Sequence, residues 1–459
     1  MAVWNTINLS SLENFKDFSS EYYQKDHIQK SELIRRIGTV KVGKIAYITD
    51  GEHGSPCWSD TSGIKYITAE FIKENYIEQG QFRQISEEQD RRNIRARLQS
   101  GDILIYSVGA YAGLAAVAEP HLFPANIPRS VAIIRINKKN ELKSEYVATF
   151  LNSIFGKFQT LRLRAGNSQP VLALDKIKQL EIPIIEEKYQ KEIQNYYQQA
   201  YKARILSQSL YHQAEELLAK ELQLDQLKLS NKKWYTTRYC EVVGNGRCDG
   251  EYYQPKYKQL MEHLSKFKCK ALGSLCDFNK GFEIGSSSYK DHGKLFMRVS
   301  NISENGIHLG NSDKYLSDFD FHRLKLFQIE KGDVLCTKDG TIAMCYVIDE
   351  EIEGIFSSGI VKLSLNEEIP TEYLAIVINS VFGKMQANRD CSGALITHWK
   401  IGEMKKIQIP IIASTSMNTI ADYVIQSKAA KRQSKQLLAQ AKHRVEELIE
   451  QEANKYKQT

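Results

Sequence analysis

The chain has 459 residues, 42% hydrophobic and 25% charged, which excludes one small domain and a disordered or collagenous chain. Its formal charge of +7 is a mild basic bias, compatible with nucleic acid but insufficient to name a partner. No run of eighteen apolar residues occurs, and residues 1–11 lack the charged start and apolar stretch of a signal peptide, so an intracellular protein without membrane contact is expected. The eight cysteines include no Cys-x-x-Cys pair, which argues against a disulfide framework and a zinc site; they are expected to be reduced and mostly packing residues.

In chain order, residues 1–185 read as a mixed globule. Short Ile- and Val-rich runs at 102–106 and 131–136 predict strands, and the apolar spacing of 145–158 predicts a helix. Residues 186–227 then lack Pro and Gly and carry a heptad seam that includes Ile193, Tyr196, Leu210, Leu217 and Leu224. A linker at 228–250 leads to a second globule, 251–412, with strands at 333–336 and 360–365 and a helix at 372–386. Residues 413–459 read as a second long helix, with Val424, Leu438, Val445 and Leu448 on its seam.

The chain repeats itself. Residues 145–159 (EYVATFLNSIFGKFQ) and 372–386 (EYLAIVINSVFGKMQ) share nine identities in fifteen at an offset of 227, where unrelated segments would share about one. Trp4 and Trp234, EYYQ at 21–24 and 251–254, SGDILIY and KGDVLCT at 100 and 331, and LEIPII and IQIPII at 180 and 407 keep the same order. Two copies of one unit therefore fill nearly the whole chain. Since each globule precedes a long helix and the linker is short, the second helix is expected to run back antiparallel along the first. The predicted fold class is α+β: two similar α/β domains joined by two long antiparallel coiled-coil helices in a pseudo-twofold internal duplication.

The order of YCEVVGNGRCDGEYYQPKY (239–257), GKLFMRVSNI (293–302), EKGDVLCTKDGT (330–341) and the INSVFGK and IPII segments, doubled in one chain, resembles the specificity (S) subunits of type I restriction–modification systems. The first copy departs from the pattern: 15–26 lacks the Arg-Cys-Asp stretch, and 48–72 has no close counterpart in the second. The resemblance implies that each globule is a target-recognition domain reading one half of a bipartite double-stranded DNA site. It further implies that the helices set the spacing and dock two methyltransferase (M) subunits, which bind S-adenosylmethionine and modify adenine N6. Restriction (R) subunits using ATP and Mg²⁺ would join, in a prokaryotic cytoplasm. The chain itself would be no enzyme and hold no cofactor or metal.

The sequence offers little chemistry of its own. Gly38-TVKV-Gly43-Lys44 imitates a phosphate loop, but Ile45 stands where Ser or Thr should bind Mg²⁺, so a strand and tight turn is the better reading. No Gly-rich cofactor turn and no methyltransferase Asn/Asp-Pro-Pro-aromatic loop occurs, and the histidines lack metal-ligand spacing. Asp175, Glu186 and Lys188 imitate a nuclease pattern, which keeps a stand-alone metal-dependent nuclease open as a competing function. Two further functions compete with it: the specificity partner of a combined methyltransferase–nuclease, and a homodimeric coiled-coil regulator.

DNA contact needs donors and positive charge on loops. In the first copy Arg83, Arg91, Arg92, Arg95 and Arg97 cluster, while Arg162 and Arg164 precede a polar turn with Asn167 and Gln169. In the second copy Lys290, Arg298, Asn301, Lys338, Arg389, His398 and Lys400 occupy comparable segments. The basic residues of the second long helix are read as solubilising positions. Tyr22-Tyr23 and Tyr252-Tyr253 are expected to pack the start of each globule against the end of a long helix.

Overall fold

In a computed structural model, residues 6, 22–137, 142–166, 169–230, 232–304, 306–310, 312–393 and 396–455 are described. They form two compact units, Met1–Arg204 with Lys431–Thr459, and Ile205–Ala430. The division passes through both long helices, Glu187–Glu221 and Ser414–Lys455, whereas the sequence partition set whole helices apart from the globules.

The first unit is built on an antiparallel sheet in the order Ala46–Asp50, Val131–Ile136, Ile103–Tyr106, Ala115–Val117. Ile103, Ile105 and Ile134 enter one core, shared with Phe150 and Phe155 of the helices Ser144–Asn152 and Ile154–Leu163. Leu104, Val131 and Ile133 enter a second core on the opposite face. Burial on both faces is why these strands are continuously apolar rather than alternating. A smaller sheet joins Ala125–Asn126, Lys65–Tyr66, Gln84–Ile85 and Trp58–Ser59. The phosphate-loop mimic is the strand Thr39–Lys41 and the single turn Val42–Ile45, and the strand pairs with Glu181–Pro183.

The segment read as one helix over 145–158 is two, broken at Ser153 (φ −68°, ψ 168°). Gly156 sits so close to the preceding turn that a Cβ would lie 2.3 Å from the Phe150 carbonyl oxygen, so only glycine permits the bend. Just before it, Asn152 donates to the Ala115 carbonyl at 2.7 Å and accepts its N–H at 3.1 Å, tying the break to the sheet.

The second unit has its own antiparallel sheet, Cys276–Lys280, Ile360–Leu365, Val334–Thr337, Cys345–Val347, and a smaller one of Lys314–Leu316, Lys294–Met297 and Gly354–Phe356. Its helices Thr371–Asn379 and Val381–Asp390 break at Ser380, where a Cβ on Gly383 would lie 2.2 Å from the Ile378 carbonyl oxygen. Asn379 makes the same pair of bonds, here to Cys345, both at 2.8 Å.

Within each unit the two long helices pack antiparallel. In the first, Ile193, Tyr197 and Ala200 share a core with Leu438, Ala441, Val445 and Leu448. In the second, Ala214, Leu218 and Leu222 meet Met417, Ile420 and Val424. The seam differs from the predicted one: Tyr197 and Leu218 are fully buried while Tyr196 and Leu217 are half-buried, and Leu224 lies beyond the helix end in the turn Leu224–Gln226. Leu210 is buried as expected. The seam shifts because the helix also covers its own globule, and this widens its buried face beyond an a/d stripe. Tyr197, for example, accepts the Val117 N–H at 3.0 Å.

Arg204 on the first long helix is buried against Glu119, with His121 and Tyr201 stacked beside them at 5.9 Å between centroids. Burial, with Arg204 and Lys65 nearby, lowers the His121 pKa from 6.5 to about 4. The folded imidazole therefore stays neutral while the unfolded chain takes up a proton below about 6.5. The contribution of His121 to the stability of the first unit should be intact above about pH 6.5 and be lost between there and about 4. Urea unfolding across that range is expected to show this slope in the wild type and a flatter one in His121→Gln.

The cysteines are free, but Cys57, Cys240 and Cys248 are exposed rather than packing residues; Cys276, Cys336 and Cys345 are buried.

Candidate nucleic-acid interface

In the first unit, four loops are tied edge to edge by backbone bonds. Glu52 donates to Ile127 at 3.2 Å and Arg129 to Glu52 at 2.9 Å; Ser107 donates to Ser130 at 2.9 Å, Gly109 to Pro170 at 2.8 Å and Leu172 to Ser107 at 2.8 Å. The loops around 51, 108, 129 and 169 therefore form one rim beyond the sheet. Such a rim presents side chains from several chain segments at defined positions, as reading base edges requires.

The second unit builds a rim from the same bonds. Ser358 donates to Phe282 at 2.9 Å, Lys338 to Gly359 at 2.9 Å, Gly340 to Thr397 at 2.8 Å and Trp399 to Lys338 at 2.7 Å. The backbone is alike, but the side chains differ. Where the first unit pairs Val108 with Val171, the second pairs Asp339 with His398, whose Nδ1 lies 2.8 Å from the carboxylate. Lys338 holds the other carboxylate oxygen at 2.6 Å. Burial raises the Asp339 pKa, but the bonds from Lys338 and His398 outweigh it and keep the carboxyl below its ordinary value.

The predicted contact residues fall into two groups. Arg162 and Asn301 are turned inward, which corrects their assignment to DNA. Arg162 is buried, donates to the Tyr22 carbonyl at 2.9 Å and lies 4.0 Å over the Tyr22 ring. Asn301 is buried and bonds Asp313 at 2.7 Å and the Arg298 N–H at 2.9 Å. Arg389 is largely committed as well, paired with Asp390 at 2.6 Å and 5.5 Å from the Tyr252 ring. Tyr22 and Tyr252, one from each tyrosine pair, thus lie against these arginines of the short helices. Arg97 meets the buried Asp90, and half-buried Arg298 donates to the Ser312 carbonyl at 2.7 Å.

The other group is at the surface. Arg83, Arg92, Arg95, Gln169, Lys290, His398 and Lys400 are exposed or nearly so, Arg164 and Lys338 half-buried, and Asn167 lies outside the described residues. Arg95 reaches Asp50 at 3.3 Å, beside the rim, and Arg92 pairs with Glu88. Sequence reading missed Trp58, 41% exposed beneath Arg83, and the exposed Arg129 on the rim. Trp58 is a lone aromatic in a polar stretch, a weak signal that was available; Arg129 had none.

The basic residues of the second long helix are not simply solvated. Lys442 pairs with Glu74 and Arg444 with Glu192, both at 3.0 Å, and Lys428 donates to the Val347 carbonyl at 3.0 Å. Glu186 of the nuclease-like pattern is paired with Lys188 at 2.7 Å, both well exposed. Among the described residues no cluster of three or more His, Cys, Asp or Glu could hold a metal ion, and no helix is long and apolar enough to cross a membrane.

No family model matches the sequence, and no curated protein matches it. Among solved structures, the chain is similar to the S subunit of a type I restriction–modification system from M. genitalium, at 14% identity and a TM-score of 0.44, covering 90% of this chain and 95% of that one. It is similar to the HsdS subunit from Thermoanaerobacter tengcongensis at 14% identity and a TM-score of 0.28, covering 91% and 95%. A third, from work on assembly and conformational transition of a type I system, is 14% identical with a TM-score of 0.29, covering 91% and 96%. The first and the third of these come from type I restriction–modification systems.

Proposed function

We propose that this chain is the non-enzymatic DNA-recognition subunit of a type I restriction–modification enzyme. The observation that carries the reading is the pair of rims, alike in their backbone bonds and different in their side chains. One scaffold used twice with different surface chemistry is what reading two unlike half-sites calls for. On this reading the two units are target-recognition domains produced by internal duplication, and the long helices form an antiparallel spacer that sets the gap between half-sites. The same helices would dock two methyltransferase subunits carrying S-adenosylmethionine, to be joined by ATP- and Mg²⁺-dependent restriction subunits. Target adenine would be flipped into the methyltransferase and not into this chain.

Exposed rim cations would supply the affinity common to all sequences, through phosphates. Lys400→Ala should weaken binding of the full chain to every duplex alike and reduce the slope of log affinity against log salt by about one. Fluorescence anisotropy across a salt series checks this. Binding indifferent to salt, or no binding to any duplex, would count against the proposal.

A further inference from the structure

The small sheet of the first unit holds one arginine in an unusual way. Arg83 lies with its guanidinium carbon 3.3 Å from the centre of the Trp58 ring. Trp58 in turn meets Tyr66 edge to face, at 5.6 Å and 83°, and Tyr66 is buried. The sheet fixes all three: Trp58 pairs with Ile85 across the strands, and the Arg83 carbonyl accepts the Tyr66 N–H at 2.8 Å. Arg92, Arg95 and Arg97 each meet a carboxylate. Arg83 does not: among the described residues its guanidinium shows no ion pair and no hydrogen bond, only the stack.

A guanidinium laid on an aromatic face keeps its N–H groups in the plane, free at the edge. Its orientation is set before any ligand arrives, so less side-chain freedom is lost on binding. A planar fork of two parallel donors matches O6 and N7 of guanine in the major groove. A phosphate would be satisfied by any nearby cation and needs no such platform. The position also fits, because the 50–57 segment leads from the rim at Glu52 directly into Trp58, and the Ser86 N–H donates to the Cys57 carbonyl at 2.8 Å.

The second unit shows the contrast. There the Lys290–Tyr315 bridge and the Leu295–Tyr315 pair stand where Ser59–Gln84 and Lys65–Gln84 stand in the first. By that register Tyr289 and Phe296, 5.7 Å apart, replace Trp58 and Tyr66, and Lys314 replaces Arg83. The aromatic pair is kept, and the fork becomes a point charge that cannot make the paired contact.

We infer that Arg83, oriented by Trp58, is a specificity-determining residue that reads a guanine in the half-site of the first unit. The inference rests on the DNA-recognition reading proposed above. The test is selection of the full chain on a random duplex library, with sequencing of the bound DNA, for wild type, Arg83→Lys, Arg83→Ala and Trp58→Leu. In the wild type one half-site should contain a guanine that all three variants lose, with preference over the other bases at that position falling about tenfold or more. The rest of both half-sites should persist, which also reports that the variants fold. Arg83→Lys separates the cases, because a phosphate contact would survive the change of cation. Variants that weaken all sequences equally, or keep every base preference, would overturn the assignment while leaving DNA recognition standing. A wild type that enriches no motif would overturn both.

Discussion

Arg204→Ala is expected to destabilise the first unit by about 3–5 kcal/mol, because it strands a buried carboxylate. Arg204 is 8% exposed and Glu119 5%, and the guanidinium also lies 5.3 Å from the Tyr76 ring. Burial pushes the Glu119 carboxyl above its ordinary value and Arg204 pulls it back only in part. Once the arginine is gone, the carboxylate must either stay charged without a partner or take up a proton. The penalty should therefore be greatest near neutral pH and shrink as pH falls through the raised Glu119 pKa, since a protonated Glu119 no longer needs the pair. Replacing both residues, with Glu119→Leu and Arg204→Met, should recover most of the loss because no charge is then left buried. Urea unfolding of the single, the double and the wild-type chains at about pH 7 and about pH 5 measures this. A loss below about 1 kcal/mol, a size typical of exposed pairs, or one independent of pH would contradict it.

Gly51→Ala should be the most damaging single methyl in the first rim. A Cβ there would lie 1.7 Å from the Ile127 carbonyl oxygen, a backbone atom that cannot swing aside. The loop at 51 would have to leave the strand end at 127, breaking the 3.2 Å bond from Glu52 to Ile127 and the 2.9 Å bond from Arg129 to Glu52. Overpacking against backbone, with those bonds lost, is expected to cost about 3 kcal/mol or more. Recognition by the first unit should fail with it, while the half-site of the second unit is retained. Gly281→Ala, where a Cβ would lie 2.2 Å from the Ser357 carbonyl oxygen, should do the reverse. Gly402→Ala is the control: it has open space around it and sits in the short helix Ile401–Met404, so the change should be neutral or slightly stabilising. Thermal melts together with the selected DNA motif separate these outcomes.

What was legible in the sequence was what local pattern encodes. The apolar runs at 103–106 and 131–136 form strands, and the stretches free of Pro and Gly form the two long helices. The break at Ser153 was not legible, because the apolar spacing runs straight through it and the cause is the approach of Gly156 to Phe150. Nor were the strands Trp58–Ser59, Lys65–Tyr66 and Gln84–Ile85, which are too short to show a period. The seam was misplaced by one residue at Tyr196 and Leu217, since heptad reasoning supposes one packing partner and the helix has two. Arg162 and Asn301 looked like surface donors because the groups that bury them, Tyr22 and Asp313, are remote or ordinary in sequence. Recurrence of an arginine at 162 and 389 carried a hint of the packing role that both play beside a tyrosine pair. The rim itself was invisible, because its four loops come together only through backbone bonds between segments far apart in the chain.

If two units in one chain read two separate half-sites, the methylation pattern must show it. The most direct test is to co-express the full chain with an N6-adenine methyltransferase subunit of a type I system from the same genome and map N6-methyladenine by single-molecule sequencing. A split motif with a gap of fixed length is expected, with loss of one half only when Gly51→Ala is used. A continuous motif, or no methylation despite a stable complex, would contradict the two-half-site mechanism.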